Sequence, residues 1–268
     1  DEYDPDYGEV TVAGSTTGQG KVLGIAIFKN DVTSGTTIIA IRQDAGATNY
    51  SFYYYTANIG WRKYTLDHSV TRPMTANGLT VNRIRHQQFN FGTGNTICFV
   101  DGVNPAIVFN GTNWKEIKSS HSGGYHASNN TAGGNQALNA PALVDVFENH
   151  LFLCGHEATR AAIAHSAPND AYTWTAAAGG GQIASGFDVV QIKPFRDNLF
   201  VFGNKNIKKI TVSASNAFAL ENVTSNIGCV ARDSVLEIGG DLMFLSPDGF
   251  RPVAGTSRVG DIELETLS

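Results

Sequence analysis

Four stretches of this chain repeat one pattern, a polar start, a short apolar run and a turn residue, and no other feature constrains the fold as strongly. They read Asn95-Thr-Ile-Cys-Phe-Val-Asp-Gly102, Asn149-His-Leu-Phe-Leu-Cys-Gly155, Asp197-Asn-Leu-Phe-Val-Phe-Gly203 and Gly240-Asp-Leu-Met-Phe-Leu-Ser246. With Ile97, Leu151, Leu199 and Leu242 aligned, successive repeats lie 54, 48 and 43 residues apart, and a run centred on Ile38 stands 59 residues before the first. A second strand-like run follows each turn, at Ile107–Phe109, Ala162–Ala164, Ile207–Ile210 and Phe250–Val253, which predicts an inner hairpin in every unit. Periods of about 40 to 50 residues built from short strands suit propeller blades of four strands each.

Nothing in the chain holds a helical period over two or three turns, and with 29 glycines and only 16% charged residues the sequence favours strands and turns. The expected fold is therefore all-β and propeller-like, with four to six blades of antiparallel strands. One domain over residues 1–268 is the default at this length. Closure of such a ring requires whole blades, so a blade or strand is expected to be incomplete in the given chain. Asn110-Gly111 before Trp114 is a type I′ turn signal and predicts an outer hairpin. In Ser246-Pro-Asp-Gly249, proline presets φ and glycine supplies a permissive last position, which predicts a tight hairpin. Residues 119–141 carry little apolar content and are expected to form a long loop for subunit contact, with His121, Tyr125, His126 and Asn129 as candidate contact residues.

Composition excludes several functions. A net charge of −5 with scattered Lys and Arg lacks the basic stripe of a sequence-reading nucleic-acid binder. Cys98, Cys154 and Cys229 lie far apart without CxxC spacing, and buried free thiols are expected. No apolar run reaches the length of a membrane span, and the acidic start Asp1-Glu2-Tyr3-Asp4 is unlike a signal peptide, so a soluble product is expected. No GxSxG elbow occurs. His121, His126, His156 and His165 lack HExxH company and read as exposed or loop-anchoring groups. Gly179-Gly-Gly181 has no following Lys-Ser/Thr and reads as a blade connection rather than a phosphate cradle. No catalytic group, metal site or cofactor is expected.

Two features keep a sugar-binding alternative open. Ser166-Ala-Pro-Asn-Asp170-Ala-Tyr-Thr-Trp174 faintly echoes the Ser-x-Asp-x-Gly-x-Thr-Trp turn of sialidases, although the Asp spacing and the Gly depart from it and no arginine cluster can be assembled from the sequence. In Tyr50-Ser-Phe-Tyr-Tyr-Tyr55, strand alternation puts Phe52 and Tyr54 on one face and Tyr53 and Tyr55 on the other, read as core on one side and subunit interface on the other. The alternative is a carbohydrate-binding or sialidase-like propeller contacting a host surface.

The segment Ser225-Asn-Ile-Gly228-Cys-Val-Ala-Arg232-Asp-Ser234-Val235, continuing to Phe244-Leu-Ser-Pro247-Asp248-Gly249-Phe-Arg251, resembles segments of bacteriophage tail nozzle and head-to-tail stabilisation proteins. Phe99–Pro105 with Asn110–Trp114, Ser166–Trp174 and Phe195–Phe202 are compatible with the same family, so the resemblance spans about residues 95–261. It implies a structural virion protein of the tail, made in the host cytoplasm, near the portal-adaptor end or the tail conduit. Its partners would be itself in a ring, expected to be a hexamer, and adaptor or other tail proteins. DNA would pass without sequence-specific binding, and the acidic balance would keep a conduit wall from trapping phosphates. The resemblance marks Gly228, Arg232, Ser234, Pro247, Asp248 and Gly249 as the structural motif.

Overall fold

The computed structural model describes residues 20–30, 35–44, 46, 48–56, 60–66, 71–117, 126–127, 138–213 and 217–253. Five antiparallel meanders succeed one another along the chain. The first sheet is β1 (Val22–Asn30), β2 (Gly35–Gln43), β3 (Tyr50–Thr56) and β4 (Gly60–Lys63). A small hairpin, β5 (Thr75–Ala76) and β6 (Leu79–Thr80), leads to the second sheet, β7 (Arg85–Asn90), β8 (Asn95–Val100), β9 (Ala106–Phe109) and β10 (Trp114–Ile117), to which β11 (His126–Ala127) adds in parallel. The third is β12 (Leu143–Phe147), β13 (His150–Cys154), β14 (Ala162–His165) and β15 (Gly181–Ala184). The fourth is β16 (Gln191–Phe195), β17 (Asn198–Phe202), β18 (Ile207–Val212) and β19 (Phe218–Thr224), and the fifth is β20 (Leu236–Ile238), β21 (Asp241–Ser246) and β22 (Gly249–Pro252).

All five sheets bring their first strand, or the turn just before it, to one shared cavity: β1, β7, β12 and β16 line it together with Asp233 and Val235, which precede β20. Successive meanders whose innermost strands ring one axis make the fold all-β and propeller-like, with five blades among the described residues.

The repeated sequence pattern is the second strand of each blade, β8, β13, β17 and β21, and Ile97, Leu151, Leu199 and Leu242 are all fully buried. Its strands read as continuous apolar runs because successive residues serve different cores. Ile97 and Phe99 pack towards the first sheet, whereas Cys98 and Val100 pack towards the third. Leu151 and Leu153 face the second sheet, and Phe152 and Cys154 the fourth. A strand apolar on both faces is what a sheet sandwiched between two others requires.

Several expectations need correction. In the first sheet Ile38 is not the equivalent of Ile97: it is 39% exposed, and Ile39 and Ile41, which follow it on the other face of β2, face the core. The hairpin expected to be innermost is the middle pair of each blade, one strand further out than β7, β12 and β16. The outer hairpin at Asn110-Gly111 exists, but Phe109 pairs with Trp114 across a four-residue loop rather than a two-residue type I′ turn. There the Asn110 side chain accepts from the amides of Thr112 and Asn113 at 3.0 and 2.8 Å, and Gly111 alone takes positive φ. Within the expected loop at 119–141 the described residues are His126–Ala127, which pair with β10, and 138–141, of which Leu138 is fully buried between the second and third sheets. His121, Tyr125 and Asn129 lie outside the described residues.

Candidate functional site

The axial cavity has a volume of about 330 Å³. Its wall takes Gly24 and Ile25 from β1, His86 and Gln87 from β7, Asp145 from β12 and Lys193 from β16. Asp145 is buried there, and burial pushes its carboxyl up to about 6, while the Lys193 charge and the Val146 amide, donating at 2.9 Å, pull the other way. Burial also lowers the pKa of His86. The axis is thus lined by polar and ionisable groups on strands whose opposite faces build the cores.

At one mouth of the axis, two arginines of the second blade converge on a single carboxylate of the connector before the fifth, with a third arginine beside them. Arg85 donates from Nε and Nη2 to the two oxygens of Asp233, both at 2.7 Å, in a bidentate pair joining the second blade to the fifth. Arg83 adds a contact to the same carboxylate at 3.1 Å. Arg232 stands beside them, close enough to Arg85 and Arg160 that burial and those like charges lower its pKa, against the raising influence of Cys154 and Asp233. Burial raises the pKa of Asp233, but the Arg85 hydrogen bonds and the charges of Arg85, Arg83 and Arg232 outweigh it and hold the carboxyl below its ordinary value. An arginine cluster, which the sequence alone did not assemble, is therefore present, because residues 83–85 and 232–233 meet only through the propeller ring.

A second charged group is sealed between the first two blades. Arg72 donates to Tyr50 Oη at 3.0 Å, to Glu116 at 3.0 Å and to the Pro105 carbonyl at 2.7 Å. Tyr50 donates in turn to Asp101 at 2.5 Å, and Asp101 also receives the amides of Val103 and Asn104 and the Asn104 side chain. Burial works against the Arg72 charge, but Tyr50, Asp101 and Glu116 together raise its pKa. The network fixes the blade interface and opens no reactive surface.

The structure brings both halves of the motif singled out in the sequence into one place. Gly228 lies so close to the Gly203–Lys205 turn that a Cβ there would meet the Gly203 carbonyl oxygen at 2.0 Å. Cys229 N then donates to that carbonyl at 2.8 Å. Ser234 Oγ donates to Ala231 O at 2.7 Å and receives the Leu245 amide at 3.3 Å, tying the connector to β21. Pro247 and Asp248 form the two-residue loop between Ser246 and Gly249, and the Asp248 carboxylate takes Ser246 and Arg251 as donors, which holds its pKa well below the usual range. Arg232 alone among the six leaves this cluster and faces the axial mouth.

The remaining candidates are structural. Cys98, Cys154 and Cys229 are buried free thiols, and burial drives the first two far above the range of a working nucleophile. His156 accepts the Ala158 amide at 3.1 Å as a helix cap, and His165 packs edge-on against Phe218 at 4.8 Å. Burial lowers the His165 pKa to about 4 despite the Ser166 carbonyl, and His150 adds to the fall. Gly179 takes φ 91° where a short 3-10 turn ends, and the triple glycine connects β14 to β15 within one blade rather than linking two blades. In Ser166–Trp174 the Asp170 carboxylate caps the Tyr172 amide at 2.7 Å while Trp174 is buried in the core between the second and third blades. Phe52 packs on Trp114 at 4.6 Å and Tyr54 on Tyr64 at 4.4 Å, whereas Tyr55 turns to the opposite face, as alternation requires. Among the described residues no group of three or more His, Cys, Asp or Glu could hold a metal ion, and no helix is long and apolar enough to cross a membrane.

No protein-family model matches the chain, and no curated protein matches it. Similar solved structures include two crystal structures of BBS1N in complex with ARL6DN, one soaked with lead and one with mercury. Identities are 7% and 8%, and TM-scores 0.45 and 0.44. The alignments cover 87% of this chain and 65% of each of those chains, so this chain spans just under two thirds of their length. The propeller assignment rests on the strand order and the shared axis.

Proposed function

We propose that this protein is a structural ring subunit of a phage tail, of the nozzle or head-to-tail type, acting by assembly to retain and pass a genome rather than by catalysis. The observation that carries this reading is that, among the described residues, the first and fifth sheets each leave an apolar face uncovered. On the first sheet, Ile25 and Ile27 are 59% and 62% exposed, and Ile27, Ile38, Tyr55 and Trp61 pair in register as one row across all four strands. On the fifth, Leu236, Ile238 and Phe250 are 53%, 58% and 48% exposed. The opposite faces of both sheets are packed in cores like those between every other pair of blades. Contiguous apolar residues left open on two sheets are the mark of an interaction surface, and unlike patches on one subunit give the head-to-tail contacts that close rings.

The resemblance of residues 225–251 supplies the phage part of the reading. The rigid turns at Gly228 and Pro247–Gly249 support it, since they hold the fifth blade's edge in a fixed shape. A net charge of −5 suits a wall past which DNA slides. Electron microscopy of the purified protein, with class averages of end views, tests it. Rings are expected, with sixfold symmetry, and Ile27→Asp or Phe250→Asp should disperse them while leaving the circular dichroism of the folded chain unchanged. Monomers that stay dispersed at all concentrations and bind no tail component would refute the reading.

A further inference from the structure

We propose that the axial mouth formed by Arg83, Arg85 and Arg232 is a binding site for a small oxyanion, of phosphate or carboxylate class. A cavity of about 230 Å³ lies there, lined by all three arginines. Its floor is made of small residues. Gly102 and Gly155 hold φ 80° and 81°, and a Cβ on either would press against the Ala142 methyl at 3.2 or 3.3 Å, so both turns approach Ala142 as closely as they do only with glycine.

The charges at the mouth do not balance. Two acids also line this cavity, Asp101 and Glu157, and Asp233 holds Arg83 and Arg85 from beside it. Asp101 is committed to Tyr50, Asn104 and Arg72, and Glu157 pairs with Arg160, which also reaches Asp188 at 3.6 Å. Asp233 alone faces Arg83, Arg85 and Arg232, and its two oxygens are taken by Arg83 and Arg85. Arg232 is exposed, and among the described residues it makes no hydrogen bond or ion pair. One guanidinium with its whole fork free, beside a second that is half-committed, is a bidentate anion receptor in an otherwise acidic protein. Asp233 holds φ 67°, a left-handed conformation uncommon outside glycine, and this turn sets the carboxylate against Arg85 while its neighbour Arg232 faces the opening.

Burial and the charges of Arg85 and Arg160 lower the pKa of Arg232, while Cys154 and Asp233 act against them.

Isothermal titration of the full chain in a low-salt zwitterionic buffer, first with inorganic phosphate and then with acetate, tests the site. Saturable binding of one anion per chain is expected, weakened at least tenfold by Arg232→Ala and by Arg83→Ala and unchanged by Arg62→Ala on the first blade. Tighter binding of phosphate would point to a phosphorylated ligand, and equal or tighter binding of acetate to a carboxylated one. Absence of saturable binding for both ions, or affinity that Arg232→Ala leaves within twofold of the parent, overturns the proposal. A circular dichroism spectrum and melting temperature of Arg232→Ala equal to those of the parent are the control that makes loss of binding read on the site.

Discussion

Arg72 and Glu116 meet at 3.0 Å between the first and second blades, with side chains only 1% and 5% exposed. The two residues are 44 positions apart in the chain, and the contact exists because the segment before β5 that carries Arg72 packs between Tyr50 of β3 and Glu116 of β10. Taking one partner from a buried ion pair strands the other in a dry interior, which costs about 3–5 kcal/mol. Arg72→Met should therefore lower the unfolding free energy by about 3 kcal/mol or more in urea denaturation, since Glu116 and Asp101 both lose their counter-charge. A loss below about 1 kcal/mol would show that water enters this interface.

Asp145 predicts a pH dependence of opposite sign to ordinary acid denaturation. Its folded pKa of about 6 lies above the unfolded value of 3.8, so the stability linked to it is complete below pH 3.8 and is lost as pH rises through 6. Asp145→Asn keeps an acceptor for the Val146 amide and removes the buried charge. Its melting temperature should exceed that of the parent at pH 7–8, corresponding to about 1–2 kcal/mol, and match it near pH 4.

His165 works the other way. Its folded pKa of about 4 lies below the unfolded 6.5, so the stability linked to the neutral ring is present above pH 6.5 and declines as pH falls towards 4. Between pH 4 and 6 this decline is masked by Asp145. In the Asp145→Asn background, denaturation midpoints should drop steadily from pH 6.5 to 4, and His165→Phe, which keeps the ring contact with Phe218, should flatten that slope. An unchanged slope would place the acid sensitivity elsewhere.

Gly228→Ala should destabilise far more than an alanine at Gly92. The first drives a methyl into the Gly203–Lys205 backbone, which no side-chain rotation can relieve, whereas the second meets open space and bears only the strain of φ 89°. That strain costs about 1–2 kcal/mol. Thermal melts of the two variants should differ clearly in this order, and equal melting points would mean that the connector before β20 shifts without cost.

The repeat at Ile97, Leu151, Leu199 and Leu242 made the middle strands legible because a strand covered on both sides must be apolar at every position. The same logic hid β7 and β16: Arg85-His-Gln-Gln and Gln191-Ile-Lys carry polar residues at the axis, and a polar-apolar mixture in a short segment has no strong period. Pro247–Gly249 was visible as turn chemistry, since proline and glycine act through the local backbone, whereas Gly228 and Ser234 were marked only by the family resemblance. Arg232 was visible only as part of that motif, and its place at the axial mouth was not.

By itself, then, the sequence determined what depends on neighbours along the chain: strand-forming runs, their spacing, the turns and the face each alternating side chain takes. The tertiary structure alone decided which charges meet. Arg85 and Asp233 are 148 positions apart, and nothing local to either foretells the other. Coulomb attraction and burial act through space, and only the winding of five sheets around one axis brings distant segments close enough for those forces to choose a partner.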